Sequence, residues 1–256
     1  MPTTVNIVEY QNPVADFTGY HNWRTMEGSG IVLYDTPSPE LSSINLAHNG
    51  GWSTTGYGGF PCATYSGINV SSVTDANLND ISGFSFAAWI YYTGEDANKR
   101  MVFSQITGFS EGESWAPGLS VIIGGNTIIP YFRYNIAISD GTNVSIFQNS
   151  TPPVGFSINT WYHIAVVVHA GDNPISNPDV LYLYLNGYLV LTHALATANI
   201  STYIAGADDK PFRLGAGFYG IASAPLYLAG NLEDVWWFKN TELTAEEVFQ
   251  IYKVRA

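Results

Sequence analysis

Neighbouring carboxylates are the residues of this chain whose spacing could support acid–base chemistry. Glu111 and Glu113 lie two positions apart and would share one face of an extended strand, as the paired carboxylates of a glycosidase must flank one sugar bond. They stand among Gly and Ser in "EGES", which favours a solvated loop. Glu233 and Asp234 are adjacent, so their side chains are predicted to point to opposite faces of a strand. No catalytic residue is predicted.

The histidines and the glycine-rich run do not predict a metal or nucleotide site. His163 and His169 would lie about 20 Å apart on one strand, at a rise of about 3.3 Å per residue, which is too far to share one ion. His21 shows no ligand spacing. The sequence "GAGFYG" at 215–220 matches the spacing of a phosphate-binding loop, but it opens no helix, so its context does not fit nucleotide binding.

Aromatic residues remain as candidates for sugar binding, because a flat ring packs against the apolar face of a sugar. Packing in or at the rim of the core is the alternative for each ring taken singly. As a group, rings in loops and on strands with polar neighbours suggest a glycan-binding surface. The predicted glycan-binding residues are Trp52, Tyr57, Trp115, Tyr131 and Tyr134.

Composition and charge exclude two classes of partner. The chain has 256 residues, nine of them Lys or Arg, and a formal net charge of −12. Nucleic acids and anionic membranes both attract basic surfaces, so neither is an expected partner. Cys62 is the single cysteine, which leaves no internal disulfide. No apolar run reaches the ~18 residues that span a bilayer, and the N-terminus lacks signal-peptide features, so we expect cytoplasmic synthesis without a signal peptide.

Short extended segments dominate the chain. In residues 83–92, Phe84, Phe86 and Ile90 alternate with Ser85 and Ala87, and this period of two is typical of β-strands. Gly, Pro, Asn and Asp separate the segments, as in a β-sandwich. The predicted strands span 83–92, 101–106, 118–123, 128–135, 144–148, 161–169, 180–185, 188–193, 211–215, 226–229 and 231–238.

The clearest turn is the Asn186-Gly187 pair, which predicts a type I′ hairpin because both residues tolerate positive φ. A two-residue loop then pairs Leu185 with Tyr188, and Leu183 and Leu181 with Val190 and Thr192. Both faces of this hairpin are apolar. One face is expected to meet the core, and the other must be covered by loops, the terminal helix, another subunit or a ligand.

The C-terminal residues carry the clearest helix signal. Thr244 and Glu247 predict a capping box, and Leu243 with Val248 predicts a hydrophobic staple. An isolated helix of about ten residues is marginal in water. We therefore expect the helix to pack on the outside of a sheet.

Two adjacent tryptophans precede this helix in the strand "NLEDVWWF". Because neighbouring strand residues point to opposite faces, Trp236 is grouped with Leu232 and Asp234, and Trp237 with Val235. Trp237 is predicted to lie in the core. Trp236 is predicted to be an interface residue, covered by the terminal helix, the N-terminal segment or a neighbouring subunit.

Several segments resemble, in order, the motifs of laminin-G-like, concanavalin A-like jelly-roll domains. "FSFAAWIYY" at 84–92 and "INTWYHIAVVVHAG" at 158–171 are similar to the family's Ala-Trp and Trp-x-His strands. "LYLYLNGYLV" at 181–190 and "FRLGAG" at 212–217 are similar to its Asn-Gly hairpin and Leu-x-Ile-Gly strand. "GNLEDVWWFKNTELTAEEVFQIYK" at 230–253 looks like its closing strand and helix. The resemblance extends over about 80–253.

The resemblance implies an all-β fold, a two-sheet antiparallel jelly-roll β-sandwich with one short C-terminal helix. It implies a structural role for His163 and a structural Ca²⁺ site at Asp234. The Glu-x-Asp-x-x-Glu spacing of the family's glycoside hydrolases is missing. Residues 29–256 are predicted to form the domain, and residues 1–28 an N-terminal arm for attachment or oligomerisation.

These observations favour a non-enzymatic, lectin-like module. Few lysines, a polar uncharged surface and the absent signal peptide suit a virion surface protein, such as a phage capsid decoration or tail-fibre protein. The expected partners are a glycan or cell-surface ligand, other virion proteins and further copies of the chain. A purely structural assembly protein and a divergent polysaccharide-cleaving enzyme of the same fold are the alternatives.

Overall fold

The fold is seen in a computed structural model of the chain. It describes residues 17–25, 27–66, 70–73, 83–93, 100–106, 118–123, 134–139, 144–148, 159–171, 179–195, 212–217 and 226–255. For residues 100, 101, 105, 106, 118–123, 134–139, 144–148, 195, 217 and 226 the description covers the backbone only.

Short β-strands make up most of the described residues, and one α-helix, α1 (Ala245–Lys253), follows the last strand. Gly, Pro, Asn and Asp punctuate the chain often enough to keep the strands short. In chain order, the strands are β1 (Tyr20–Trp23), β2 (Val32–Leu33), β3 (Leu46–His48), β4 (Gly51–Ser53), β5 (Cys62–Tyr65), β6 (Ser71–Val73), β7 (Phe84–Tyr92), β8 (Arg100–Ile106), β9 (Gly118–Ile123), β10 (Tyr134–Ser139), β11 (Val144–Gln148), β12 (Trp161–His169), β13 (Asp179–Leu185), β14 (Tyr188–Leu195), β15 (Phe212–Leu214), β16 (Ala216–Gly217), β17 (Leu226–Tyr227) and β18 (Gly230–Lys239).

Two sheets contain most of these strands. The first has the order β14-β13-β12-β7-β18-β5-β4, and β1 lies beside the second half of β18. The second has the order β11-β10-β9-β8-β15-β6-β3-β2, and β16 pairs separately with β17. The described pairings are antiparallel. The predicted all-β, two-sheet antiparallel jelly-roll β-sandwich with one short C-terminal helix is therefore confirmed.

The main core lies between the two sheets and is rich in aromatic rings. Phe86 from β7 stacks on Phe103 from β8 with ring centroids 5.0 Å apart. Trp237 from β18 is fully buried and lies 5.3 Å from Phe103. Phe212 from β15 joins Trp23 at 5.0 Å. Each ring buries a large apolar area, so such contacts dominate the stability of the sandwich.

The helix α1 covers the outer face of the first sheet. The Thr244 hydroxyl accepts from the Glu247 N–H at 3.3 Å, and the Glu247 carboxylate accepts from the Thr244 N–H at 2.7 Å. Val248 and Ile251 are buried against the sheet. The predicted capping box and sheet-packed helix are thus present. In the part of the chain described above, no helix has the length and apolar character needed to cross a bilayer.

The β13–β14 hairpin has the predicted turn. Asn186 and Gly187 have φ values of 49° and 80°, which is the conformation that a type I′ turn requires. Leu185 pairs with Tyr188, as predicted. A side chain at position 187 would meet the Phe249 ring at 2.8 Å, so glycine also makes room for α1.

A bulge changes the register of this hairpin beyond the first pair. Leu183 pairs with Leu191, whereas the two-residue loop alone predicts Val190 as its partner. The predicted partners of Leu183 and Leu181 are therefore wrong, since Leu181 pairs with His193 and not with Thr192. One extra residue on β14, Val190, is left without a partner in β13, because a bulge sets two residues of one strand against one of the other.

The closing strand β18 is also bulged, between Glu233 and Trp236. Asp234 there has a φ of 51°. The extra residue reverses the alternation of side chains along the strand. Leu232 consequently lies in the core between the sheets together with Val235. The predicted grouping of Leu232 with Trp236 is wrong for this reason.

The segment 17–25 belongs to the sandwich. β1 extends the first sheet along β18, and Trp23 is fully buried, with its Nε1–H donating to the Ile44 carbonyl at 2.8 Å. The predicted arm, residues 1–28, therefore contains a strand of the first sheet. Residues 1–16 lie outside the described residues, and attachment or oligomerisation through them stays a prediction.

Candidate functional site

A cleft with a volume of about 450 Å³ opens where the N-terminal segment meets the end of β18. Apolar surface comes from Leu41 and Ile44. Apart from Gly19, the other described lining residues are polar, and we call the site the polar cleft. They are Gly19, His21, Glu40, Ser42, Lys239 and Asn240.

The buried Asp35 fixes the orientation of His21 in this cleft. His21 Nδ1 lies 2.6 Å from Asp35 Oδ2. The Asp35 carboxylate also accepts from the N–H groups of Asn22 at 3.0 Å and Ile44 at 2.8 Å. Because all three contacts use the carboxylate as an acceptor, the proton of the His21 contact lies on Nδ1. The carboxylate thus holds the ring in place through Nδ1.

Glu40 supplies a carboxylate to the cleft. Its Oε1 accepts from the Ser38 hydroxyl at 2.7 Å and from the Gly19 N–H. These hydrogen bonds, that of Ser38 foremost, hold the pKa of Glu40 below its usual value, because they stabilise the charged form. The carboxylate is therefore ionised at neutral pH, and its Oε2 keeps the capacity to accept from a ligand.

At one side of the cleft, the backbone near Gly19 approaches the residues that follow β18. Asn240 follows β18 with a φ of 55°. Gly19 has a φ of 70°, and a Cβ there would lie 3.1 Å from Thr241 Oγ1. The two sides of the cleft are thus about two hundred residues apart in sequence. Sequence reasoning missed these residues, since no local spacing connects His21 and Glu40 with Asn240.

Two of the predicted glycan-binding aromatics, Trp52 and Tyr57, have described side chains, and they lie apart from each other. Trp52 donates from Nε1 to the Gly30 carbonyl at 3.0 Å and packs against the core between the sheets. Tyr57 stacks on Trp89 at 3.8 Å, on the outer face of the first sheet. Neither residue lines the polar cleft. Trp115 and Tyr131 lie outside the described residues, as does the side chain of Tyr134, the first residue of β10.

A second polar cluster lies beside Tyr57 and joins the C-terminus to the first sheet. Glu233 is fully buried, and its Oε2 accepts from the Tyr57 N–H at 2.8 Å. Its Oε1 lies 3.8 Å from Arg255 Nη1, and the Arg255 guanidinium lies over the Phe60 ring at 4.8 Å. Burial raises the pKa of Glu233 to about 7, against the opposing effect of Arg255. This carboxyl therefore titrates near neutral pH.

The neighbours of Asp234 do not suit a calcium ion. Its Oδ1 accepts from Asn22 Nδ2 at 3.1 Å, and its Oδ2 lies 3.8 Å from Arg255 Nε. Calcium takes six to eight oxygen ligands, whereas these neighbours supply an N–H donor and a cation. Among the described residues, no three His, Cys, Asp or Glu side chains are placed to share a metal ion. Calcium binding by the chain stays a prediction.

Trp236 is covered from within the chain. It is 2% exposed, and the ring of Tyr20 lies against it with centroids 5.1 Å apart. It belongs to a second cluster of buried residues between the first sheet, the N-terminal segment and α1. Of the three predicted covers, the N-terminal segment contacts this ring through Tyr20, and the terminal helix adds Val248 and Ile251 to the same cluster.

His163 and His169, the two histidines considered as a metal pair, lie in different surroundings. His163 is fully buried beside Trp89, and burial lowers its pKa to about 3, so the ring is neutral. His169 pairs at the surface with Glu242. Glu111 and Glu113 lie outside the described residues.

The family follows from a comparison with known families. A model described as the concanavalin A-like lectin/glucanases superfamily matches residues 64–249, which is more than half of the chain. The chain belongs to this superfamily. The predicted concanavalin A-like resemblance is therefore confirmed. No curated protein is found to match the sequence of this concanavalin A-like chain.

Solved structures share the concanavalin A-like fold at low sequence identity. The botulinum neurotoxin serotype D/C binding domain is 14% identical, with a TM-score of 0.60 over 92% of this chain and 52% of that one. Tailspike protein 2 from Escherichia coli O157:H7 bacteriophage CAB120 is 14% identical, with a TM-score of 0.55 over 84% and 27%. The Ruminococcus gnavus IT-sialidase CBM40, bound to α2,3 sialyllactose, is 15% identical, with a TM-score of 0.51 over 71% and 86%. The chain spans about half the length of the neurotoxin structure.

Proposed function

We propose that this chain is a carbohydrate-binding domain and that its ligand occupies the polar cleft. The observation that supports this proposal most directly is the arrangement of His21, Glu40 and Asn240 in a cleft of about 450 Å³. Ligand pockets commonly have volumes of about 300–1,000 Å³. A sugar offers many hydroxyl groups that donate and accept hydrogen bonds, and the imidazole, carboxylate and amide match both roles.

The family and the fold support this proposal. The superfamily is that of the concanavalin A-like lectins and glucanases, and a carbohydrate-binding module bound to sialyllactose shares the fold. The location of the site is taken from the cleft of this chain, since identities near 15% carry no binding residues across.

We further propose binding without cleavage. Glycoside hydrolases in most families place two carboxyl groups on either side of the scissile bond. Among the described residues that line the cleft, Glu40 is the one carboxylate. Asp35 lies behind His21, where His21 and the N–H groups of Asn22 and Ile44 occupy its oxygens.

We also propose that the domain works on the outside of a larger particle, such as a virion, and is made in a cytoplasm. The acidic, lysine-poor composition and the fold shared with a bacteriophage tailspike support this placement. Assembly through further copies of the chain or other virion proteins belongs to the same proposal. Imaging of the purified protein and of particles that carry it tests this; a strictly monomeric protein absent from particles contradicts it.

The binding proposal is tested by screening a broad glycan array and titrating the best glycan by calorimetry into wild type and Glu40→Gln. Losing a hydrogen bond to a charged group weakens binding about 10- to 100-fold. Glu246→Gln is the matched control, because Glu246 is an exposed carboxylate on α1, away from the cleft lining. We expect the control to bind like wild type. No binding to any glycan would favour a purely structural protein, and equal affinities for wild type and Glu40→Gln would place the ligand elsewhere.

A further inference from the structure

The charges and acceptors of the polar cleft discriminate between classes of glycan. His21 is 3% exposed and is held by Asp35 through Nδ1, so its ring contributes little surface to a ligand. Glu40 contributes a carboxylate whose Oε1 is already held by Ser38 and Gly19. Glu40 therefore presents an acceptor in a fixed position, and it requires a donor on the ligand. Adjacent sugar hydroxyls are donors of that kind.

A negative charge on the ligand is disfavoured at the same place. Glu40 is ionised, Asp35 lies directly behind His21 at 2.6 Å, and the whole chain carries a net charge of −12. Lys239 is the one cation among the described lining residues, and it has interactions within the chain. A ligand carboxylate near Glu40 would meet like-charge repulsion that water only partly screens.

We infer that the polar cleft selects uncharged glycans, bound through neighbouring hydroxyl groups of which one donates to Glu40, and rejects their sialylated counterparts. This inference rests on the proposed glycan-binding function. It separates this chain from the structurally similar module that was solved with α2,3 sialyllactose. The shared fold does not determine the charge preference, because each preference depends on the side chains that line the individual site.

The test compares matched pairs of glycans that differ only in a terminal sialic acid, such as lactose with 3′-sialyllactose and N-acetyllactosamine with its 3′-sialylated form. Dissociation constants are measured for the full chain at pH 7.5. For the pairs that bind, we expect the uncharged member to bind about tenfold more tightly or better, since repulsion between charges a few ångströms apart near a protein surface is of that size. Tighter binding of the sialylated members overturns the inference but leaves the glycan-binding function intact. Absence of binding to every glycan overturns both.

Two further measurements connect the preference to charge. Raising the NaCl concentration from 0.05 to 0.5 M should reduce the preference several-fold, because salt screens exposed charges. Glu40→Gln should weaken binding of the uncharged glycan. It should also bring the ratio of the two dissociation constants within a glycan pair towards one. A preference that changes neither with salt nor in Glu40→Gln would show that shape rather than charge sets it, which contradicts the inference. The salt series uses the wild-type chain and does not depend on how well the variant folds.

Discussion

The buried Glu233 makes stability depend on pH in a direction that can be worked out from the structure. Its folded-state pKa is raised to about 7 from the ordinary glutamate value of 4.5, so the folded chain holds this proton more tightly than the unfolded chain does. The contribution to stability is fully present below pH 4.5, falls as pH rises, and is lost above about pH 7. A pKa difference of that size corresponds to about 3 kcal/mol of unfolding free energy.

Glu233→Gln removes this titration while keeping an oxygen that can accept from the Tyr57 N–H. Urea unfolding of wild type and variant at half-unit steps from pH 5 to pH 8 gives the two stability profiles. We expect the variant to gain about 2–3 kcal/mol relative to wild type between pH 5 and pH 8. The neighbouring charges are those of Arg255 and Asp234, and Arg255 reduces the effect by favouring the ionised carboxylate.

The matched control is Glu246→Gln, which removes an exposed carboxylate from the first turn of α1. Its stability difference from wild type should be small and nearly constant over this pH range, because the exposed Glu246 carboxylate meets water in the folded and the unfolded chain alike. Parallel profiles for wild type and Glu233→Gln would refute the reasoning. They would mean that Arg255 and the Tyr57 N–H compensate fully for the burial of the carboxylate.

Three further changes test the packing of the sandwich and its terminal helix. Trp23→Ala should lower the unfolding free energy by about 3–5 kcal/mol, and a loss under 1 kcal/mol in urea unfolding would show that β1 is dispensable. Gly187→Ala should cost more than about 1 kcal/mol, because φ is 80° there and Phe249 lies close; an unchanged melting temperature would contradict that turn geometry. Thr244→Ala should cost about 1 kcal/mol through loss of the capping box, while Thr244→Ser should restore most of it, and equal losses in both variants would argue against the cap.

Features that depend on neighbouring residues were predictable from the sequence. The alternation in β7, the Asn186-Gly187 turn and the capping box of α1 each lie within about ten residues, and local physics determines them. The division of Trp236 and Trp237 between two faces follows from the period of two. These features, together with the order of family motifs, were sufficient for the sandwich and its terminal helix.

The bulges were not predictable in this way. The shift in β18 after Glu233 places Asp234 beside Asn22 and near Arg255, and Asn22 lies more than two hundred residues away. The residues next to Asp234 in the sequence give no indication of a partner so far along the chain. The strict alternation assumed for Leu232 therefore assigned it to the wrong face, and a hairpin register without a bulge gave Leu183 and Leu181 the wrong partners.

The polar cleft escaped prediction for a related reason. His21 and Glu40 come from a region that was assigned largely to an arm, whereas pairing of β1 with β18 sets them beside Lys239 and Asn240. Aromatic content instead directed attention to Trp52 and Tyr57. The structure shows that these two rings are packed on opposite faces of the first sheet.

The most direct measurement of the central claim is a map of where a bound glycan contacts the chain. Nuclear magnetic resonance titration of the isotope-labelled protein, with the glycan that binds best on an array, supplies this map. We predict that the largest shift changes fall on the Gly19 and Asn240 amides and on the His21 ring nitrogens. Changes centred on Trp52 or Tyr57, with the polar cleft unaffected, would contradict the assignment of the binding site.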